Sequence, residues 1–491
     1  MSARIKIDMD RRLGRIDPFV YGYFIEHLGR CIYGGIYEEG SPLSDERGFR
    51  TDVLEAVRGL RVPILRWPGG NFVSGYHWMD GIGPKEQRPR RMELAWLAEE
   101  SNRFGTDEFI EYCRAIGAEP YICVNLGTGT LDEAAAWVEY CNGTGDTYYA
   151  NLRRQNGHPE PYGVKYWGLG NEMYGPWQIG QKEAREYALF AREAAKLMKR
   201  VDLSIKLVSC GWDGLHDWDR IVLEILAPYV DYHSIHIYTG SDDHYLNIAQ
   251  VHQAERCIRA TWALIQEVKY KQRLGHDIRI AYDEWNVWFR ERTDGLEERY
   301  NLSDALAVAT YLNIFQRHPR EVGMANLAQL VNVIAPIFTS PEGLFRQTIY
   351  WPLRLYAAHA QPISLDVWVA SETFTAEIDP EDRHFLAPLM PLPYLDVSAT
   401  CDEAGRTVTL FVVNRHAADD VEATIQFTDF KPMPAAQVYE VSGPDLNAVN
   451  DFGSEQVGVT EKQVTDAAAI FTYTFPAHSI TVMKLATGPA S

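Results

Sequence analysis

A chain of 491 residues with 46% hydrophobic and 23% charged side chains is too long for one small core and too ordinary in composition for a disordered or fibrous protein, so two domains are expected. Its 47 basic against 67 acidic residues leave a net charge of −20, which repels phosphate backbones and anionic membrane surfaces and argues against nucleic acid or membrane as a partner. The run Arg88-Pro89-Arg90-Arg91 is the local exception and reads as a solvated loop or subunit contact ahead of a phosphate site.

The opening segment ARIKIDMD alternates apolar and charged residues, as a half-buried strand does, and lacks the apolar core of a secretory signal. A strand so close to a terminus needs a sheet to hold it. From about Pro18 to Ala360 short apolar runs alternate with amphipathic stretches, in the order strand then helix. Candidate strands cover 19–26, 62–68, 119–127, 164–172, 205–211, 231–238, 278–285 and 324–332. Most are apolar along their whole length, as parallel strands covered on both faces are. Candidate helices cover 51–60, 106–117, 131–141, 182–200, 246–272, 301–317 and 343–359. Eight such units without a GxGxxG turn predict a (β/α)8 TIM barrel over 18–361, in preference to an open doubly wound sheet.

Beyond residue 362 the texture becomes alternating, with strands expected at 408–414, 421–427, 435–441, 469–475 and 479–485. These predict a C-terminal antiparallel β-sandwich over 362–491, joined by residues 1–17. Seven cysteines, an odd number with no CxxC pair or His-Cys cluster, point to neither a disulfide framework nor a zinc site. No segment approaches the roughly 18 apolar residues of a membrane span. The expected location is cytoplasmic.

Catalytic groups of a barrel gather at the C-terminal ends of its strands. That filter collects Glu26, Arg66 with Asn71, Asn125, Asn171 with Glu172, His236 with Tyr238, and Glu284. Glu172 and Glu284 close the fourth and seventh strands, so barrel closure brings them to one mouth. A pair of carboxyl groups is what glycoside hydrolysis needs, one as proton donor and one as nucleophile or base. Each has a plain alternative: Asn171-Glu172 could open a helix, and Asp283-Glu284 could mark a strand reaching the surface.

The blocks FIEHLGRCIYGGIYEEG (24–40), RWPGGNFVSGYHW (66–78), GLGNE (168–172), HIY (236–238) and DEWNVW (283–288) together resemble the family 51 α-L-arabinofuranosidases, retaining barrel glycosidases with a C-terminal sandwich. The resemblance runs over nearly the whole chain. It implies Glu172 as acid/base, Glu284 as nucleophile, and Glu26, Asn71, Asn171, Tyr238 and Gln347 as substrate-binding residues, with Tyr238 bonding the nucleophile; strand-end position adds Arg66 and His236 as substrate-binding candidates. Structural alternatives stand beside several of these. Glu26 could pair with Arg66 or Arg30, Asn71 could serve a turn, His236 could be a core histidine, and Gln347 could lie on a helix surface. Trp67, Trp285 and Trp288 read equally as pocket walls or as packing. The implied activity is release of terminal non-reducing α-L-arabinofuranosyl groups from arabinan or arabinoxylan oligosaccharides by double displacement, without cofactor or metal. A β-D-xylosidase or β-D-galactofuranosidase of the same architecture, or a non-catalytic carbohydrate-binding barrel, are the competing readings. The resemblance also implies a homo-oligomer, with a hexamer as the form to test. Loops 78–104 and 286–300 are expected to carry the leaving-group contacts.

Overall fold

Eight short parallel strands pair in sequence order and close on themselves: Gly22–Phe24, Ile64–Trp67, Glu119–Val124, Tyr166–Leu169, Lys206–Ser209, Tyr232–Thr239, Arg279–Val287 and Val322–Ala328. The last strand returns to the first, with Asn326 opposite Gly22. The structure, a computed structural model, describes residues 1–290, 296–376 and 391–488. Every run expected as a barrel strand contains one, displaced by a few residues at its ends. All of Val322–Ala328 is buried, and so is Arg279–Val287 after its first residue, because the strands face barrel interior on one side and helices on the other.

The helices show how sequence periodicity fixes that packing. Ala184–Val201 buries Tyr187, Ala188, Ala191, Ala194, Ala195 and Met198 along one stripe and turns its charges to solvent. Leu302–Arg317 is buried from Leu302 through Gln316, since the C-terminal sheet covers the side that solvent would otherwise reach. There Asn313 donates to Asp396 at 2.7 Å and Arg317 bonds the same carboxylate at 2.9 Å. Asn301 and Asp304 cap this helix reciprocally, each backbone N–H meeting the other side chain at 3.0 Å.

Three helices differ from expectation. The helix expected over 343–359 begins only at Tyr350. Before it, Gly343–Arg346 pairs with Ile337–Ser340 in a hairpin, where Phe338 and Phe345 stand opposite and stack at 5.4 Å. That cross-strand aromatic pair outweighs the helical pattern of the isolated segment. Two helices, Tyr148–Gln155 and Asp217–Leu226, were not foreseen.

The second sheet has nine strands in the order Gly458–Val464, Ala436–Ser442, Ser479–Ala486, Thr407–Asn414, Leu395–Cys401, Ile363–Ala370, Ser2–Arg15, Val421–Thr428, Ile470–Phe475. Ile5 and Ile7 from the N-terminal strand share one core with Ile425 and Phe471 from one end of the sheet and Val438 and Met483 from the other, so the sheet folds over itself as a sandwich. The N-terminal strand is antiparallel to Ile363–Ala370 but parallel to Val421–Thr428. The five strands expected in this region are present, and Ile363–Ala370, Leu395–Cys401 and Gly458–Val464 add to them. The basic run is spent on ion pairs: Arg88 grips buried Glu108 with two bonds of 2.9 Å, Arg90 meets Glu99 and Arg91 meets Asp80. All seven cysteines are buried and unpaired.

Candidate active site

At the C-terminal mouth of the barrel a cavity of about 840 Å³ opens, lined by Glu26, Asn71, Glu172, His236, Tyr238 and Glu284 among others. The backbone bends sharply to present these groups. Gly170 takes φ +80° and Glu172 itself φ +41°, so the chain after the fourth strand turns through the left-handed region and no helix begins at Glu172. At the end of the second strand Pro68-Gly69-Gly70 lies against Glu26. A Cβ on Gly70 would stand 2.4 Å from the Glu26 carboxylate oxygen, which is why glycine occupies that place.

Oxygens of the Glu172 and Glu284 carboxylates approach within 4.8 Å of each other, with Nδ1 of His236 beside both, nearer to Glu172. Each carboxylate has its own partners. Tyr238 donates to Oε1 of Glu284 at 2.7 Å, and Arg66 Nη1 donates to Oε2 at 2.8 Å. Trp177 Nε1 donates to Oε2 of Glu172 at 2.7 Å, while Nδ1 of His236 lies 2.9 Å from Oε1. The other nitrogen of His236 lies 3.2 Å from Asp283, which also accepts from Tyr121 at 2.7 Å and from Ser234. Burial alone would push Asp283 up, but Arg66 and His236 hold its carboxyl well below the usual range.

At the other end Glu26 accepts from the Phe72 backbone N–H at 2.9 Å, from Trp96 Nε1 at 3.1 Å and from Gln329 Nε2 at 3.2 Å. Burial raises its carboxyl to about 8, against those hydrogen bonds and with the help of the nearby Glu284 charge. Neither alternative ion pair forms: Arg30 bonds Glu297 and Arg66 bonds Glu284.

The sequence-based candidates divide. Glu26, Asn71, Glu172, His236, Tyr238 and Glu284 face the cavity, as does Trp288. Arg66 does not: it is 1% exposed, and its guanidinium is taken by Glu284, the Asp283 carbonyl and Asn171. It braces the site from beneath, a correction to its reading as a substrate ligand. Asn171 gives its carbonyl to Arg66, and its amide nitrogen has only a 3.4 Å contact with Gln178. Gln347 is displaced from the cavity altogether. Its nitrogen donates to the carbonyls of Glu298 and Ala335 at 2.9 and 2.8 Å, and its oxygen accepts from the Tyr300 N–H, so the amide staples three backbone segments. Asn125 caps the turn at 127–128. Trp67 and Trp285 are packing, Trp67 on Phe109 and Trp285 on Tyr311 and Phe315.

Among the lining residues that sequence reasoning missed, three contact the candidate carboxyl groups. Gln329 lies within the expected run 324–332, just past the strand that ends at Ala328, and reaches Glu26; its side-chain amide oxygen is buried without a partner. Trp96 comes from loop 78–104, where Glu93 fixes its backbone with a 2.6 Å bond to its N–H. Trp177 follows Glu172 by five residues. Position at a strand end could have flagged Gln329, whereas the two tryptophans sit on loops whose path no periodicity reveals. Of the other loop, residues 291–295 lie outside the described residues.

The chain as a whole has known relatives. Residues 56–256 match the family model described as the α-L-arabinofuranosidase 1 domain, and residues 283–479 match the α-L-arabinofuranosidase C-terminal domain. The chain is 46% identical over 498 residues to α-L-arabinofuranosidase C of Emericella nidulans, covering 98% of this chain and 97% of that one. It is 40% identical over 477 residues to the intracellular exo-α-(1→5)-L-arabinofuranosidase of Halalkalibacterium halodurans, covering 93% of each. The crystal structure of α-L-arabinofuranosidase from Thermotoga maritima in its arabinose complex superposes with a TM-score of 0.94 at 47% identity, over 99% of this chain and 100% of that one.

Proposed function

The chain belongs to the family 51 α-L-arabinofuranosidases, and from that premise we propose that it releases terminal non-reducing α-L-arabinofuranosyl groups from arabinan or arabinoxylan oligosaccharides by double displacement. One observation carries the mechanism: the approach of the Glu172 and Glu284 oxygens within 4.8 Å. Retaining enzymes hold their carboxyl groups about 5 Å apart, so that one attacks the anomeric carbon directly; inverting enzymes leave room between them for water.

Glu284 is the nucleophile. Its two oxygens are aimed by Tyr238 and Arg66. Glu172 protonates the departing oxygen, then, ionised, takes a proton from the water that cleaves the glycosyl-enzyme. Both oxygens of Glu172 are oriented, by His236 and Trp177. Glu26, Asn71 and Gln329 line the end of the cavity that receives the furanose hydroxyls, and the weakly partnered Asn171 amide can donate to the 2-hydroxyl. The Gln329 carbonyl, buried without a partner, gains an acceptor role when a hydroxyl arrives.

The exo mode, the cytoplasmic location and assembly into a homo-oligomer, with a hexamer as the form to test, complete the reading. A relative named as intracellular and exo-acting supports the first two; no described helix is long and apolar enough to cross a membrane. Following a 4-nitrophenyl glycoside panel, with proton NMR of the first-formed sugar, tests the activity. Cleavage of the α-L-arabinofuranoside with retained configuration is expected; preference for a β-D-xyloside or β-D-galactofuranoside would overturn the substrate, and inversion the mechanism. Light scattering that finds only a 55.9 kDa monomer would overturn the oligomer.

A further inference from the structure

Part of the cavity wall is held in place by the second domain. Leu296 and Ile334 line the cavity side by side, joined by the Ile334 N–H on the Leu296 carbonyl at 2.9 Å. The Ile334 carbonyl accepts in turn from the backbone N–H of Gln329, whose side chain reaches Glu26. Leu296 and Ile334 both take left-handed backbone, at φ +59° and +38°. Bulky side chains are strained there, and such a conformation persists only where the surroundings impose it. Some of that frame is the barrel's own, with Arg30 on Glu297 and Gln347 on Glu298 and Tyr300.

The rest comes from an arm of the sandwich over 445–457, which carries a small hairpin of Asn450–Asp451 with Ser454–Glu455. Three residues beyond Leu296, Arg299 lays its guanidinium over Phe338 and Phe345, 4.2 and 4.9 Å from the ring centroids, and bonds Asp451 of the arm at 3.3 Å. Phe452 packs edge-on against Phe345 at 4.8 Å. The Ala448 and Leu446 carbonyls accept the N–H groups of Leu302 and Ser303 at 3.0 Å each, first-turn donors that the helix itself leaves unsatisfied. Buried Asn450 donates to the Arg346 carbonyl at 3.0 Å, beside Gln347. The arm's own side chains stay outside the cavity.

We propose that this arm is a positioning element of the active site: through Arg299 it fixes the Leu296 wall against the bound furanose, so that the sandwich domain sets how tightly the sugar end of the cavity holds an arabinofuranosyl group. The inference rests on the reading of that end as the furanose site. No arm residue touches the reacting atoms, and the effect passes through Leu296. A wall already ordered when the sugar arrives spares the cost of ordering it on binding. An apolar contact made alike in the ground and transition states acts on affinity and leaves the chemical step unchanged.

The test reads Ki for L-arabinose as a competitive inhibitor beside kcat on 4-nitrophenyl α-L-arabinofuranoside. Arg299→Ala is expected to raise Ki about fivefold, with kcat within about twofold of wild type. Phe452→Ala, which removes a ring that is 43% exposed and so costs little core, raises it about threefold by the same route. Arg299→Lys keeps a charge beside Asp451 without the planar stack and gives an intermediate Ki. In a Leu296→Ala background, which itself raises Ki, Arg299→Ala should add less than about twofold, since changes that act through one residue are not additive. Unchanged Ki in both Arg299→Ala and Phe452→Ala would overturn the proposal, as would Arg299 and Leu296 effects that multiply in the double variant. A wild type that hydrolyses no arabinofuranoside counts against the reading of the site itself, whereas an active wild type with unmoved variants counts against the arm alone.

Discussion

Nδ1 of His236 stands 2.9 Å from Oε1 of Glu172, and the same nitrogen is 3.5 Å from Oε2 of Glu284. One imidazole therefore couples the two carboxylates that the mechanism divides between acid and nucleophile. Burial disfavours its cationic form, but the charge of Glu284 and the bonds to Asp283 and Glu172 raise His236 to about 10. Burial in turn favours a protonated Glu172, yet the His236 bond and charge hold that carboxyl below its ordinary value. The pair keeps one proton on a short bond beside the scissile oxygen. When Glu284 is esterified its charge vanishes, and with it the largest support for the imidazolium.

Replacing His236 by Asn removes that cation and leaves a neutral donor. A carboxyl that loses a positive neighbour holds its proton to higher pH, so the basic limb of kcat/KM for Glu172-dependent substrates is expected to move upward. Activity on alkyl glycosides falls about 10- to 100-fold, because the aim of Glu172 is lost. pH profiles on methyl and 4-nitrophenyl arabinofuranosides check this; a limb that stays or moves down shows that His236 does not set the acid.

Glu26 gives a stability prediction with a definite sign. Its folded pKa of about 8 exceeds the ordinary 4.5 of a glutamate, so between those values the folded protein holds a proton that the unfolded chain has released. The contribution to stability is full below about 4.5 and is lost as pH rises through 8, up to about 5 kcal/mol as a ceiling. Glu26→Gln mimics the neutral acid. Its melting temperature should gain on wild type as pH is raised from 5 to 9, while kcat/KM falls through loss of the sugar-binding carboxyl. Parallel melting curves across that range would refute the raised value.

The barrel was legible because its strands are buried on both faces and therefore apolar throughout, and the two glutamates because strand ends in a barrel converge. Arg66 shows where legibility stopped. A strand-end arginine reads as a ligand, but whether its side chain tips into the cavity or beneath it depends on Glu284 and Asn171 claiming its donors. Gln347 lies away from the cavity for a different reason: the helix expected to carry it starts only at Tyr350, and the segment just before Gln347 is held in a hairpin by the Phe338–Phe345 pair, which helical periodicity does not reveal. The tryptophans at 96 and 177 reach the cavity from loops, and a loop's course is decided by contacts such as Glu93 with the Trp96 backbone, which spacing does not encode.

The two glutamines separate cleanly in the laboratory. Gln329→Ala removes a cavity side chain whose carbonyl has no partner, so about 10- to 100-fold in kcat/KM should be lost with little change in melting. Gln347→Ala strands the carbonyls of Glu298 and Ala335 and the N–H of Tyr300, at about 2–4 kcal/mol of stability. Its folded fraction should keep near-normal activity on aryl glycosides. The reverse pattern, with Gln347→Ala stable but inactive, would return Gln347 to the site.

The glutamates themselves are told apart by leaving group. A general acid matters in proportion to the basicity of the departing oxygen, whereas an attacking carboxylate is required by every substrate. Glu172→Ala should nearly abolish cleavage of arabinan oligosaccharides yet spare the first step on an aryl arabinofuranoside, so that a glycosyl-enzyme accumulates. Azide needs no base, and the side chain removed leaves space beside the Trp177 indole; it should restore turnover and give the azide of retained configuration. Glu284→Ala should lose both substrate types, because neither Tyr238 nor Arg66, its two partners, can attack carbon. Azide in that variant enters from the vacated face and gives the inverted product. Each loss amounts to several kcal/mol of transition-state stabilisation, well above the error of a rate assay. If Glu172→Ala loses good and poor leaving groups alike while Glu284→Ala discriminates between them, the roles are exchanged; if both variants stay active, the chemistry lies outside this pair.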